Sequence, residues 1–204
     1  MNYEPQMQSA PAKKEEGGFL FDALEMFVWA LAILLLIFTF ALRLCRVDGA
    51  SMENTLYNGE NLLIYSLFYE PQQDDIIVFH LTDATPNLEK ILVKRVIATG
   101  GQTVKIDFKN NTITVDGVLY EDEHATLKNS KDELINRYMS NRPDWEYNSK
   151  NDTMTVTVPE GHLFVLGDNR NFSRDSRDSN IMFVDERSVL GKVIVRVSPF
   201  TVFS

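Results

Sequence analysis

The chain starts with a polar segment and then changes to a long apolar run. From Met26 to Leu42 there are 17 residues, and Thr39 is the only clearly polar one. Because a bilayer span takes roughly 20 apolar residues at a rise of about 1.5 Å each, the pattern predicts a membrane helix that also uses residues on either side. We expect this anchor to occupy residues 19–44, after a flexible tail at residues 1–18.

Two other interpretations of the apolar run fit less well. A cleaved secretory signal peptide has a short basic start and small residues at its cleavage point, whereas Arg43 stands where the small residues belong. A buried core helix would need packing partners on every face, which a domain of this size does not offer. The orientation of the anchor stays open here, because Lys13 and Lys14 before the run are matched by Arg43 and Arg46 after it.

After the anchor, the chain changes to short runs rich in Ile, Leu, Val, Phe and Tyr, which are typical of β-strands. Strands are predicted at Asn61 to Leu67, Asp75 to Leu81, Glu89 to Ala98, Met154 to Val158, Leu163 to Leu166 and Gly191 to Val197, with a meander from Thr103 to Tyr120. Within the meander, Asn110-Asn111 and Asp116-Gly117 are good hairpin-turn residues.

Residues 124–150 are charged and polar, and we interpret them as an insertion on the β core. Lys131 to Met139 is the segment of this insertion that favours a short helix. The predicted fold class is therefore mainly β, with a several-stranded antiparallel domain at residues 45–204 that carries a small insertion. One N-terminal transmembrane helix precedes this domain.

Charge and cysteine content narrow the classes of function. Residues 47–204 hold 24 acidic and 16 basic residues, which argues against a nucleic-acid partner because such binding calls for a basic face. The lone Cys45 excludes an internal disulfide, and Leu44 stands where a lipoprotein cysteine would need a small neighbour. The three histidines are far apart in sequence, so we expect neither a metal site nor a cofactor.

A candidate nucleophile follows shortly after the anchor. Gly49-Ala50-Ser51-Met52 is a small-residue turn, and small neighbours leave room for a substrate backbone to approach. A serine hydroxyl is a poor nucleophile until a neighbouring base takes its proton. Taken alone, such a segment is more often an ordinary turn than an active site.

A candidate base lies in an apolar run, where Lys94 and Arg95 stand side by side. Strand alternation sends the two side chains to opposite faces, so at least one can point inward, although a solvated edge strand also carries lysines. A lysine acts as a base only when it is neutral. Lowering an amine pKa from about 10.4 to about 7.5 takes roughly 4 kcal/mol, which burial among apolar neighbours can supply.

The third feature is a polar segment from Gly167 to Arg177, directly after the predicted strand Leu163 to Leu166. Its eleven residues are dense in Asp, Asn, Ser and Arg. Such side chains can satisfy one another and hold a loop rigidly beside a cleft, and we favour this structured network over a plain solvated turn.

Together these segments resemble the motif set of type I signal peptidases, in the same order and at compatible spacing. The similar segments are Ser51 to Leu56 for the nucleophile box, Asp75 to Phe79 for the strand box, Lys94 to Ile97 for the lysine box and Gly167 to Arg177 for the Gly-Asp-Asn-Arg box. The likeness covers the anchor and most of the domain, but not residues 124–150.

The resemblance implies a role for each matching residue. Ser51 would be the nucleophile, Lys94 its general base, and Ser173 the residue that hydrogen-bonds and orients the lysine. The backbone N–H of Ser51 would hold the oxyanion. Loop bracing by ion pairs is expected of Arg95, Asp168, Asp175 and Arg177, and substrate binding of Val47, Gly49, Met52 and Val93.

The implied function is removal of signal peptides from exported preproteins by a Ser/Lys dyad, without metal or cofactor. The resemblance implies a single-pass protein of a bacterial cytoplasmic membrane, with a cytoplasmic N-terminus and an extracytoplasmic peptidase domain. Its partners would be signal peptides and the lipid bilayer. A substrate bound as an added strand would lie beside Asp48 to Ala50 and Ile91 to Val93.

The sequence departs from the family pattern at three places, and the first two, Gly49 and Asn54, leave an alternative open. Gly49 stands where some members place a hydroxyl that helps to hold the oxyanion, Asn54 replaces a usual proline, and Asp178-Ser179-Asn180 follows Arg177 in place of a short glycine-containing stretch. The alternative is a catalytically silent, membrane-anchored binding or scaffold protein with the same fold.

Two other hydrolase classes have less support. A self-cleaving repressor-type Ser/Lys peptidase would carry a DNA-binding segment, and the acidic charge and the anchor disfavour it. A hydrolase using His80 or His162 lacks a supporting motif.

Overall fold

The computed structural model describes residues 16–81, 91–121, 124–125, 145–178 and 180–203. The chain divides into two compact units, Met1–Thr39 and Phe40–Ser204. The first contains most of one long apolar helix, and the second contains the β-strands. The predicted helix at Lys131 to Met139 and residues 1–15 of the predicted tail (1–18) lie outside the described residues.

The helix α1 runs from Glu16 to Ala41 and contains a stretch, Gly18–Thr39, that is long and apolar enough to cross a membrane. The mean hydropathy of this stretch is 2.3, and none of it is buried inside the protein. Its hydroxyl-bearing residue Thr39 donates a hydrogen bond to the Leu35 carbonyl at 2.7 Å, so this polar group is satisfied within the helix.

The helix does not have the same bounds as the predicted anchor at residues 19–44. Residues 16–18, assigned to the tail, are helical, and the helix ends at Ala41 instead of Leu44. The next residues form strand β1, Leu42–Arg46, which pairs antiparallel with β2 over its full length. Pairing with β2 takes Leu42 and Leu44 out of the helix, because a tertiary hydrogen-bond ladder overrides the local apolar pattern.

The strands after β1 are β2 Asn61–Tyr65, β3 Ile76–His80, β4 Ile91–Ala98, β5 Thr103–Asp107, β6 Thr112–Val115, β7 Val118–Tyr120, β8 Glu146–Asn148, β9 Thr153–Thr157, β10 His162–Leu166, β11 Val184–Asp185, β12 Val189–Arg196 and β13 Thr201–Val202, with a 3₁₀ turn at Glu186–Ser188. Neighbouring strands pair antiparallel throughout the described part of the chain. The mainly antiparallel β prediction is therefore confirmed.

The strands form two sheets. The larger sheet has the order β1-β2-β12-β3-β4-β10-β11, with β13 also paired to β12. The smaller sheet has the order β7-β6-β5-β9-β8. The larger sheet joins β1, β4 and β10, the strands that precede or carry the candidate site residues, so segments far apart in sequence become neighbours.

The predicted meander is confirmed, and its turns have the expected chemistry. Asp116 and Gly117 connect β6 to β7 with φ values of 51° and 80°, the positive pair that a tight two-residue hairpin turn requires. Asn111 has a φ of 52° at the preceding turn, where the Asp107 carboxylate accepts a hydrogen bond from the Asn110 N–H at 2.9 Å.

The C-terminal residues of the insertion predicted at residues 124–150 take part in the small sheet. Glu146–Asn148 forms β8 and pairs with β9, and the buried Trp145 just before it packs against Phe164 with ring centroids 5.8 Å apart. These residues belong to the small sheet and its core. Strand β8 was not predicted, because the sequence around it is charged and polar. A strand of only three residues at the edge of a sheet depends on its partner strand and not on its own sequence pattern.

The two sheets share an apolar core. Ile97, Phe164 and Leu166 of the larger sheet cluster with Val104 and Met154 of the smaller one, and all five are buried. A separate cluster packs the segment after β1 against the larger sheet; its members are Val47, Met52, Leu56, Leu62, Ile64, Ile76, Val78 and Val193. This second cluster fixes the segment that carries Ser51.

The core between the sheets gives the first prediction. Phe164→Ala should lower the free energy of unfolding by about 3–5 kcal/mol, because it removes a fully buried ring and leaves a cavity beside Trp145. Urea unfolding of the full chain in detergent, followed by Trp fluorescence, measures the change. The control Val118→Ala alters a residue that is 71% exposed and should stay within about 0.5 kcal/mol. Equal effects of the two variants would contradict the shared core.

Candidate active site

Ser51 begins a short helical turn just after β1. The Leu56 N–H donates to the Met52 carbonyl at 2.8 Å, and the Thr55 N–H donates to the same oxygen at 3.0 Å. Met52 and Leu56 are buried in the apolar cluster below, whereas Ser51 remains partly exposed. The turn therefore has an apolar underside that holds it and a serine at its start that solvent and substrate can reach.

Two residues of this segment have positive φ. Gly49 has a φ of 95° and Asn54 a φ of 86°. Glycine adopts such a backbone without strain and asparagine tolerates it better than most residues, whereas proline is fixed near −65°. The departure from proline at Asn54 therefore fits the local backbone of this chain.

The side chain of Lys94 reaches Ser51 from β4. Its Nζ donates a hydrogen bond to Ser51 Oγ at 2.7 Å and another to the Val93 carbonyl at 2.8 Å. Lys94 is only 1% exposed, so its amine lies away from bulk water. The two residues are 43 positions apart in sequence, and the structure brings them into direct contact. An amine within hydrogen-bond reach of a hydroxyl can exchange a proton with it.

Arg95 is also buried, and it binds the loop that follows β10. Its Nε and Nη2 donate to the two oxygens of Asp168 at 3.0 and 2.8 Å, which forms a bidentate ion pair. The hydroxyl of Thr55 donates to the same carboxylate. Asp168 therefore connects the turn that carries Ser51 with the strand that carries Lys94.

The segment Gly167 to Arg177 is held by a second buried ion pair. Arg177 Nε and Nη2 donate to the two oxygens of Asp175, both at 2.8 Å, and the Gly167 N–H donates to Asp175 Oδ2 at 3.0 Å. Burial would raise the pKa of the Asp175 carboxyl, but the Arg177 charge and the hydrogen bonds from Arg177, Gly167 and Ser173 hold this pKa below its usual range. The segment is a structured loop and not a solvated turn.

Ser173 is buried within this loop, beside Gly167 and Asp175. A Cβ on Gly167 would lie 2.1 Å from Ser173 Oγ. This places Ser173 on the loop wall that faces the Ser51 carbonyl, since the same Cβ would lie 2.4 Å from that oxygen. Its hydrogen bond to Lys94 stays a prediction.

Asn169 contacts the nucleophile segment directly, a role that the sequence did not reveal. Its backbone N–H donates to the Ser51 carbonyl at 3.1 Å, and its side-chain amide donates to the Ala50 carbonyl at 3.0 Å. The loop therefore fixes the backbone on both sides of the Ser51 N–H. The Thr55 hydroxyl was missed as well. Both residues stood inside recognised motifs, but only the fold shows which atoms they bind.

A cleft of about 310 Å³ adjoins Ser51 and Lys94. Among the predicted substrate-binding residues, Val47, Met52 and Val93 line it, whereas Gly49 is not part of its lining. Cys45 lines the same cleft, and burial raises the pKa of its thiol.

His80 and His162, the two histidines considered as alternative bases, do not lie in this cleft. His80 and His162 line a different cavity, of about 530 Å³, which does not include Ser51. Within the described ranges, no three His, Cys, Asp or Glu side chains gather closely enough to hold a metal ion. The geometry at Ser51 therefore provides an amine and not an imidazole as the neighbouring base.

Comparison with known proteins identifies the family of this chain. The sequence model described as "Signal peptidase, peptidase S26" matches residues 20–198. The chain belongs to this family of signal peptidases. It is therefore a hydrolase, as its named relatives also show.

Two of these relatives extend over nearly the whole chain. Signal peptidase IB of Staphylococcus aureus is 30% identical over 179 residues, which cover 85% of this chain and 87% of the relative. The probable signal peptidase I-1 of Synechocystis sp. is 31% identical over 200 residues, covering 95% and 89%. A crystal structure of a signal peptidase I from Enterococcus faecalis is 30% identical, covers 61% of this chain and 97% of its own, and superposes with a TM-score of 0.39.

The close approach at Gly167 gives the second prediction. Gly167→Ala should abolish most of the peptidase activity and lower the free energy of unfolding by about 1–3 kcal/mol, because the new methyl group would overlap Ser173 Oγ and the Ser51 carbonyl oxygen. Peptide cleavage and urea unfolding measure the two effects. Gly18→Ala, at a position where a Cβ meets no atom within 4 Å, is the control and should keep both. An active, stable Gly167→Ala variant would refute the tight packing.

The lowered pKa of Asp175 gives the third prediction. Its folded-state pKa is below the unfolded value, near 3.9, so its stabilising contribution is complete above that value and is lost as the pH falls through the folded-state pKa. At pH 7, Asp175→Asn should lower the free energy of unfolding by about 3–5 kcal/mol, since it leaves Arg177 buried without its carboxylate.

Urea unfolding between pH 7 and pH 2.5 tests this expectation. The difference between wild type and Asp175→Asn should be constant above about pH 4.5 and shrink below about pH 4. The control Asp107→Asn changes a carboxylate whose partner Asn110 lies at an exposed turn, and it should have a smaller effect at neutral pH. A gap between wild type and Asp175→Asn that stays constant down to pH 2.5 would contradict the assignment.

Proposed function

We propose that this chain is a membrane-anchored endopeptidase that removes signal peptides from exported preproteins, with Ser51 as nucleophile and Lys94 as general base. The observation that carries the proposal is the 2.7 Å hydrogen bond between Lys94 Nζ and Ser51 Oγ at a buried amine. The family membership supports the reaction class, and the relatives named signal peptidase support the substrate class.

The chemistry starts with a neutral Lys94. Burial disfavours the charged ammonium. The neutral amine takes the proton from Ser51 Oγ while the oxygen attacks the scissile carbonyl carbon. The resulting ammonium then protonates the leaving amine, which gives an acyl-enzyme and a free N-terminus.

Hydrolysis of the acyl-enzyme repeats these steps with water. Lys94 removes a proton from the water as it attacks the ester carbonyl, and the same proton returns to Ser51 Oγ when the ester bond breaks. In both halves of the reaction the oxyanion would be held by the Ser51 N–H, which has no acceptor among the described residues. Asn169 holds the carbonyls of Ala50 and Ser51 on either side, so this N–H is fixed before substrate binds.

An extended substrate fits the edge of β4. Strand β10 pairs with β4 only from Arg95 onward, so within the described residues the segment Ile91 to Val93 has an unpaired edge on the side away from β3. A peptide can add there as a further strand, with Asp48 to Ala50 on its other side. Val47, Met52 and Val93 line the cleft beside it with apolar side chains, which suits small residues next to the cleaved bond.

The helix α1 would place the reaction at a membrane. Its stretch Gly18–Thr39 is the candidate span, and we propose that it anchors a single-pass protein in the bacterial cytoplasmic membrane. In this topology residues 1–18 are cytoplasmic and the peptidase domain is extracytoplasmic. Anchoring confines enzyme and signal helix to one layer and raises their effective concentration.

Cleavage of a purified preprotein by the full chain in detergent tests the proposed function. Ser51→Ala and Lys94→Met should each lower the rate by at least about 10³-fold while the protein stays folded, because each removes one partner of the proton transfer. Lys105→Met, which changes an exposed lysine on β5, is the matched control and should cleave at the wild-type rate.

Two outcomes would reject the proposed function. An inactive but folded wild type would favour the silent scaffold, for which Gly49 is the supporting observation. A Lys94→Met variant that still cleaves would show that another group accepts the serine proton.

A further inference from the structure

The guanidinium of Arg196, at the end of β12, connects three segments of the catalytic unit. Its Nη1 donates to the Thr55 carbonyl at 2.9 Å and to Glu60 Oε1 at 3.4 Å. Its Nε donates to the Pro199 carbonyl at 3.0 Å, and its Nη2 to Thr201 Oγ1 at 2.7 Å. The side chains of Arg196 and Glu60 are only 15% and 11% exposed, so the two bonds from Nη1 are partly shielded from water.

The Thr55 carbonyl lies at the end of the turn that Ser51 begins. The hydrogen bonds from Thr55 and Leu56 to the Met52 carbonyl close one helical turn, and the positive φ of Asn54 stops the helix from continuing. The last carbonyls of such a turn have no helical partner, and a guanidinium is well suited to satisfy them. Arg196 therefore holds the far end of the nucleophile turn from a strand 141 residues later in the sequence.

The other side of Thr55 is tied to the lysine strand. Its hydroxyl donates to Asp168, and Asp168 pairs with Arg95, the neighbour of Lys94. The turn that carries Ser51 is thus fixed at Thr55 from two directions, by Asp168 through the side chain and by Arg196 through the backbone.

We propose that Arg196 is a positioning residue for Ser51, which keeps the nucleophile turn at the distance from Lys94 that proton transfer requires. This inference rests on the proposed Ser/Lys dyad. A misplacement of about 1 Å in a reacting group can cost on the order of 10²-fold in rate. Arg196 is not part of the lining of the substrate cleft, so its loss should affect the chemical step more than substrate binding.

The test compares steady-state cleavage of a preprotein by Arg196→Ala, Arg196→Lys and two controls. Arg196→Ala should lower kcat by about 10- to 100-fold with KM changed less than about threefold. Arg196→Lys should recover part of this loss, because an ammonium can reach the Thr55 carbonyl but cannot serve the other acceptors in the same geometry.

The controls separate positioning from stability. Thr201→Val removes one partner of Arg196 and leaves its bond to Thr55, so kcat should stay near the wild-type value. Arg187→Ala changes a guanidinium whose side chain is 90% exposed, and it should keep both kcat and KM. Thermal unfolding of each variant gives the folded fraction, to which kcat is normalised.

The outcomes are distinct. A folded Arg196→Ala variant with wild-type kcat, or an equal kcat loss in Thr201→Val, would overturn the positioning role while leaving the dyad intact. A loss that appears only in KM would also overturn it. An inactive wild type would reject the proposed function, and the role of Arg196 would be rejected with it.

Discussion

The hydrogen bond between Lys94 and Ser51 places an amine in almost complete burial, and the surrounding structure has to make that position tolerable. A buried amine has lost its hydration, and it needs a fixed hydrogen-bond partner more than a surface lysine does. Ser51 Oγ and the Val93 carbonyl are two such partners. The bond forms only if the turn after β1 and the strand β4 are held at one fixed separation.

Two buried ion pairs hold that separation. Arg95 with Asp168 ties β4 to the loop after β10, and Arg177 with Asp175 closes the same loop on itself. Buried pairs of this kind add little net stability over an apolar core, but removing one partner leaves the other charge buried without compensation. Their bidentate geometry fixes direction as well as distance, which apolar packing does not. We therefore interpret the pairs as devices that specify the geometry of the site.

The sequence allowed the prediction of much of the fold, with clear limits. Strands such as β3 and β10 were predicted because their apolar runs are nearly continuous. The short strands β8, β11 and β13 were not, because two or three residues become a strand only through their partner. Strand β1 was not predicted either, for a different reason. In β1 the apolar pattern of the anchor continued into the ladder with β2, and composition could not mark the boundary.

The candidate site, like the fold, could be predicted from the sequence only in part. The resemblance of four segments to a family identified Ser51 and Lys94 as the candidate nucleophile and base, and the structure brings them into contact. The contacts of Asn169 with the Ala50 carbonyl and of Arg196 with the Thr55 carbonyl could not be predicted, because both acceptors are backbone atoms. Every residue has a backbone carbonyl, so the residue type does not show which carbonyl will accept a side-chain hydrogen bond. Which carbonyl a side chain reaches is decided by register and loop shape.

The backbone at Gly49 also limits where a second oxyanion donor can be. Its φ of 95° is one that L-residues rarely adopt, although a Cβ there would meet no atom within 4 Å. A serine or threonine at this position would have room for its side chain but a strained backbone. Such backbone strain costs about 1–3 kcal/mol. One oxyanion donor supplies about 10²–10³-fold in rate, which corresponds to about 2.7–4 kcal/mol and is of similar size. A hydroxyl-bearing residue at position 49 would therefore strain the turn that this segment adopts. The Gly49 N–H is not free either, because it donates a hydrogen bond to Asn58 Oδ1 at 3.0 Å. Gly49 therefore offers neither a side-chain hydroxyl nor a free backbone N–H as a second oxyanion donor.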